Sequence, residues 1–157
     1  MRKKDQEITD KELIEAIIDK ATVCRIAFSE KNIPYIIPVN FGHKDGCLYI
    51  HSAPEGKKID MIKNNNNVCF EVDIDHELIK SDSPCHFSMK YQSVIGFGKA
   101  FFIEGLEEKK MALDLIVGHY SDGSREYPEK IVRHVTIIKV EIDHMTGKQS
   151  GFGPQQD

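Results

Sequence analysis

Between residues 23 and 50 the chain reverses direction twice at short polar turns. Three β-rich apolar runs, 23–28, 35–41 and 47–50, are separated by Lys31-Asn32 and by Lys44-Asp45-Gly46. Asp-Gly between apolar runs suits the left-handed backbone of a tight hairpin, so these strands pair antiparallel. Residues 68–73, 90–104 and 135–142 read as three further strands. Strands and crossover helices do not alternate as they would in a parallel sheet. The pattern predicts a mainly β chain with helices (α+β), a six-stranded antiparallel barrel under helical cover.

Three stretches carry helical periodicity. Thr9 and Glu12 have capping-box spacing, Ile8 and Leu13 are placed for a hydrophobic staple, and Leu13, Ile14, Ile17, Ile18 and Ala21 recur on one face. Residues 54–63 form a short helix starting at Pro54 and closed by the run of asparagines at 64–67. Residues 107–120 form the third, and a polar loop is expected from 74 to about 88. At 157 residues the chain is expected to be one domain, 1–148, with a tail at 149–157.

Charge and composition narrow the class. With 25 acidic and 21 basic side chains the net charge is −4, which argues against nucleic acid or a membrane surface as partner. No apolar stretch has transmembrane length, and the first residues lack the apolar segment of a secretion signal. The expectation is a cytoplasmic protein. Cys24, Cys47 and Cys69 lie in strand-like runs without C-x-x-C spacing and read as reduced and buried. Cys85-His86 with His76 matches no zinc spacing, so no metal is expected.

The stretch 51–58, His-Ser-Ala-Pro-Glu-Gly-Lys-Lys, joins a strand to a helix. Unpaired amides at a helix start, the Ser52 hydroxyl, the permissive Gly56 and the charges of Lys57 and Lys58 together suit a phosphate. A capped surface helix with solvated lysines is the plainer alternative. The G-x-x-x-x-G-K-[ST] loop of nucleoside triphosphatases is absent. Pro38 cannot donate to a ladder, so either pairing breaks near it and frees the backbone of Val39 and Asn40 for a ligand, or the strand is an edge or bulge beside a hairpin. Gly96 and Gly98 share one strand face and leave a slot for a flat ring, another backbone or a barrel bend.

Taken together, "ATVCRIAFS", "PYIIPVNFGHKDGCLYIHSAPEGKKIDMIKNNNNVCFEVD", "MKYQSVIGFGKAFFIE", "KKMALDLIVGHYS" and "VEIDHMTGKQSG" resemble the FMN-binding split-barrel superfamily of pyridoxamine 5′-phosphate oxidase. Within it they are similar to the 5-nitroimidazole-resistance nitroreductase branch, over roughly residues 1–151. The resemblance implies a six-stranded split barrel and a homodimer holding two FMN molecules in clefts between subunits. It implies that Ser52, Lys57 and Lys58 hold the phosphate, with Ala53 and Gly56 in the same stretch. Val39, Asn40 and Phe41 would meet the isoalloxazine edge by backbone and side chain, and Gln92 and Ser93 would contribute from the later strand. His51 would lie near the ring as a candidate proton donor to a small-molecule substrate. The chain departs from the pattern at 83–87, where similar members carry a tryptophan-type residue and this chain has none. The function so implied is an FMN-dependent oxidoreductase acting on nitroaromatic or similar small acceptors. The alternatives are a pyridoxamine 5′-phosphate oxidase-like oxidase and a flavin- or haem-binding protein without turnover.

Overall fold

A computed structural model describes residues 4–123 and 125–152. Strand β1 (Glu7–Ile8) leads into helix α1 (Lys11–Lys20). The N-cap of α1 is Asp10, whose carboxylate accepts the N–H groups of Glu12 and Leu13 at 2.9 and 3.4 Å. Thr9 does not take the expected capping role. The adjacent carboxylate is a charged acceptor facing the positive end of the helix dipole. Ile14, Ile17 and Ile18 are buried on the inner face of α1.

Both expected turns form, but the run 35–41 pairs with 23–28 and not with 47–50, whose hairpin partner is the short stretch 42–44. Strands β2 (Cys24–Glu30) and β3 (Ile33–Val39) turn through Lys31 and Asn32, with φ of 50° and 65°. Strands β4 (Gly42–Lys44) and β5 (Cys47–Ser52) turn through Asp45 and Gly46, with φ of 50° and 69°. Positive φ at both central residues is the turn that matches the twist of paired strands. Helix α2 (Lys57–Asn64) and the long strands β6 (Asn67–Ile79) and β7 (Ser88–Ile103) follow. Then come α3 (Leu106–Gly118), α4 (Glu129–His134) and β8 (Thr136–Ser150).

Among the described residues the antiparallel sheet has eight strands rather than six, the additions being the short β1 and β4. Its order is β3-β2-β6-β7-β8-β5-β4, with β1 paired to β8. β6 continues through residues expected to be loop, with a register shift between Ile74 and Glu77. β8 runs on to Ser150, two residues into the stretch expected as a tail, and residues 153–157 of that stretch lie outside those described. The main core lies between the inner sheet face and helices α1 and α2, around Phe28, Phe41, Leu48, Ile59 and Phe70.

Two sequence expectations change. Pro38 does not interrupt pairing: β3 stays in register with β2 from Ile33 opposite Glu30 to Val39 opposite Cys24. Backbone polar groups alternate sides along a strand, so Pro34, Ile36 and Pro38 share the side away from β2, and two of these three positions carry no donor. The glycine slot is also filled from within. A Cβ on Gly96 would lie 2.2 Å from Cε1 of Phe70, and one on Gly98 would lie 2.1 Å from the Glu141 carbonyl oxygen. These glycines admit a core ring and the neighbouring strand's backbone, not a ligand.

Candidate functional site

Strand β5 ends at Ser52, opposite Thr136 of β8. His51 stands exposed, while Ser52 turns inward and is only 6% exposed. The Ser52 Oγ is buried and has no hydrogen-bond partner. A buried hydroxyl without a partner costs roughly 1–3 kcal/mol, so this atom marks a place where an acceptor is missing.

The chain then bends through Ala53, Pro54 and Glu55 to Gly56, and α2 starts at Lys57, three residues later than expected. Pro54 lies in the bend, and Gly56 is the N-cap with φ 124° and ψ 170°. That φ favours glycine, although nothing lies within 4 Å of a Cβ built there. No side chain caps this helix. The amides of Ile59 and Asp60 bond to the Gly56 carbonyl at 2.9 and 3.2 Å. The amides of Lys57 and Lys58 are left at the open end, where the helix dipole is positive.

The two lysines differ. Lys57 is exposed, with Nζ 4.3 Å from the centroid of the Tyr35 ring on β3. Lys58 is half-buried, and burial pulls its ammonium below the ordinary 10.5. A partly desolvated cation, a second cation, two free amides and an unpartnered hydroxyl within seven residues are donors of the kind that suits a phosphate monoester. Beside this corner a cleft of about 190 Å³ opens, lined by Pro54, Ile59, Lys63, Phe102, Lys109 and Thr136. Ligand pockets commonly span roughly 300–1,000 Å³, so this cleft is small, and none of Ser52, Gly56, Lys57 and Lys58 lines it.

The other expected site residues divide. Val39 is half-buried and Asn40 exposed at the β3–β4 corner. Phe41 is 0% exposed in the core, and its N–H donates to the Tyr120 hydroxyl at 3.1 Å. Its side chain therefore offers no surface to a ligand of this chain. Gln92 and Ser93 pair with Gln149 and Lys148 of β8, whereas Ser52 pairs with Thr136. Thirteen residues of β8 separate these levels, on the order of 40 Å along the strand. One chain does not bring Gln92 and Ser93 to the Ser52 corner.

Tyr120 is a residue that sequence reasoning missed. It lies 79 residues from its partner Phe41, and no local pattern links the two. Elsewhere, Arg25 donates to Asp73 at 2.5 Å and to Glu71 at 3.2 Å, and His76 Nε2 lies 2.5 Å from Asp73. Burial raises the Asp73 pKa, but the hydrogen bonds from Arg25 and His76 outweigh it and hold the carboxyl below its ordinary value. Burial pushes the Cys24 thiol up to about 12, which leaves it unreactive. Among the described residues no group of three or more His, Cys, Asp or Glu side chains is arranged to hold a metal ion, and no helix is long and apolar enough to cross a membrane.

Residues 10–149 match the family described as pyridoxamine 5′-phosphate oxidase. A candidate 5-nitroimidazole antibiotic resistance protein from Bacteroides thetaiotaomicron is 42% identical with a TM-score of 0.83, over 91% of this chain and 86% of that one. The FAD and heme binding protein from Mycobacterium smegmatis (19% identity, TM-score 0.85) aligns over 97% of this chain and 77% of its own. The flavocytochrome Anf3 from Azotobacter vinelandii (20% identity, TM-score 0.83) aligns over 97% and 72%. These two share the fold. An uncharacterized protein of Rhizobium meliloti is 28% identical over 65 residues, 41% of this chain, and the match spans 42% of that relative's length.

Proposed function

The chain belongs to the pyridoxamine 5′-phosphate oxidase family, and we propose that it is an FMN-dependent oxidoreductase that reduces a small acceptor of the nitroaromatic class as a homodimer. The observation that carries this reading is the buried, unpartnered Ser52 Oγ, five and six residues before the open amides and ammonium groups of Lys57 and Lys58. These groups would grip the phosphate, with Ala53 and Gly56 keeping the backbone close. Bound flavin would supply two-electron transfer between a donor and the acceptor.

The chain's own residues supply position and protons. Val39 and Asn40 would edge the ring with backbone groups, and exposed His51 at the end of β5 would give a proton to a reduced substrate. Gln92 and Ser93 would reach the ring from the second copy, which answers their distance from Ser52 within one chain. The outer face of β7 supports such a partner. Ile95, Phe97 and Phe101 alternate along it, each more than 40% exposed.

Oxidation of pyridoxamine 5′-phosphate is the weaker reading. Arg25 is engaged by Glu71 and Asp73, Arg125 by the Ser121 carbonyl and Arg133 by Glu129, so none stands ready for a substrate phosphate. The deciding experiment records the visible spectrum of the purified protein and titrates it with FMN and with riboflavin. Yellow protein that takes FMN in strong preference to riboflavin is expected. Colourless protein that takes up no FMN overturns the reading. Reduction of a nitro compound driven by NADH or NADPH then separates an enzyme from a protein that only binds the cofactor.

A further inference from the structure

The β3–β4 corner is held from behind by the C-terminal end of α3. The Tyr120 hydroxyl accepts from the Phe41 N–H at 3.1 Å and donates to the Thr22 carbonyl at 3.1 Å. His119 Nε2 lies 2.6 Å from the Ala21 carbonyl, and its ring centroid is 4.4 Å from that of Phe41. Gly42 completes the clamp, because a Cβ there would lie 2.6 Å from the Leu115 carbonyl carbon. The helix backbone thus rests directly on the residue after Phe41.

This clamp fixes the direction of a group on the ligand side. The peptide joining Asn40 to Phe41 is planar and trans, so its N–H and C=O point in opposite directions. With the Phe41 N–H turned inward to Tyr120, the Asn40 carbonyl is turned away from α3, at an exposed residue. We infer that Tyr120 is a positioning residue that aims the Asn40 carbonyl as a hydrogen-bond acceptor for an imide N–H on the edge of a bound isoalloxazine. This rests on the proposed flavin site and adds to it a specific acceptor and the remote group that orients it. Tyr120 touches neither cofactor nor substrate. It acts through one peptide plane.

Three ligands test this: FMN, riboflavin and 3-methyl-FMN, in which the imide hydrogen is replaced by a methyl group. The native protein should bind FMN about tenfold more tightly than 3-methyl-FMN, as expected for one buried hydrogen bond. In Tyr120→Phe that ratio should fall toward one, while the preference for FMN over riboflavin, set at the Ser52 corner, should not change. A purely structural role for Tyr120 would weaken all three ligands alike and keep both ratios, and that result overturns the inference. Failure of the native protein to bind any flavin defeats the functional reading instead. Should Tyr120→Phe not fold, Tyr120→Trp gives the same readout: its indole N–H can still serve the Thr22 carbonyl but accepts nothing from Phe41.

Discussion

The ammonium of Lys57 lies 4.3 Å from the ring centroid of Tyr35, so the first residue of α2 is tied to the middle of β3. The contact restrains a long, exposed cation at the first residue of the helix. A cation over an aromatic face at a partly exposed site contributes about 0.5–1 kcal/mol. Tyr35→Leu should therefore weaken FMN binding by roughly two- to fivefold, measured by quenching of flavin fluorescence. Lys57→Ala should weaken it further, since the charge itself is lost. Equal affinity in Tyr35→Leu and the native protein would show that Lys57 needs no such anchor.

Ser52→Ala should separate folding from binding. The Ser52 Oγ is buried without a partner, so its removal should leave the unliganded protein as stable as before or raise its stability by about 1 kcal/mol. The same change removes a donor to a charged phosphate, and FMN affinity should fall by about 1.5–3 kcal/mol, roughly ten- to a hundredfold. Thermal unfolding without ligand and titration with FMN read the two effects. A large loss of unliganded stability would mean that the hydroxyl is already satisfied inside the chain.

Lys58 gives a pH signature. Burial places its ammonium below 10.5 in the folded protein. Between that folded value and 10.5 the unfolded chain holds a proton that the folded chain lacks, so unliganded stability should rise with pH through this window. Below the window both states carry the charge, and the slope disappears. Lys58→Met should remove the rise. Bound phosphate favours the charged form, so the rise should also vanish when FMN is present. Denaturant unfolding from about pH 8 to 10.5 compares the curves. A native curve parallel to that of Lys58→Met would show that burial does not disfavour the charge.

Phe97 tests the second copy. It is 44% exposed on the outer face of β7 and stacks on His144 with centroids 4.9 Å apart. Phe97→Glu should give a monomer in sedimentation velocity and should lose FMN in the same concentration range, because Gln92 and Ser93 lie far along β8 from Ser52. A monomer that binds FMN normally would place the whole cofactor site within one chain.

The sequence showed most where single residues impose backbone shape. Lys31-Asn32 and Asp45-Gly46 marked their hairpins because both central residues need positive φ. It showed less where a neighbour supplies the order. β4 was missed because Gly42-His43-Lys44 is not an apolar run, and it forms by pairing with the outgoing strand and resting on α3. The outer half of β6 was hidden by its charged residues. The end of β8 was hidden by Gly147, whose bare face receives Ile8. At the candidate site the sequence grouped Ser52, Gly56, Lys57 and Lys58, which lie within seven residues of one strand-to-helix corner. It left the face of Gly96 and Gly98 open between a ligand, another backbone and a bend, because side-chain alternation alone cannot say which face is core. Tyr120 left no trace, since a contact across 79 residues depends on how α3 docks.

The prolines of β3 bear on how copies of this protein can meet. Ile33 and Ile36 are 63% and 60% exposed on a strand with an open rim, an arrangement that would ordinarily recruit a foreign strand. A visiting strand would need hydrogens from residues 34, 36 and 38, and only Ile36 has one to give. Growth by zipping rim to rim, the route to fibres, is stopped at this border. Contact between broad surfaces meets no such block.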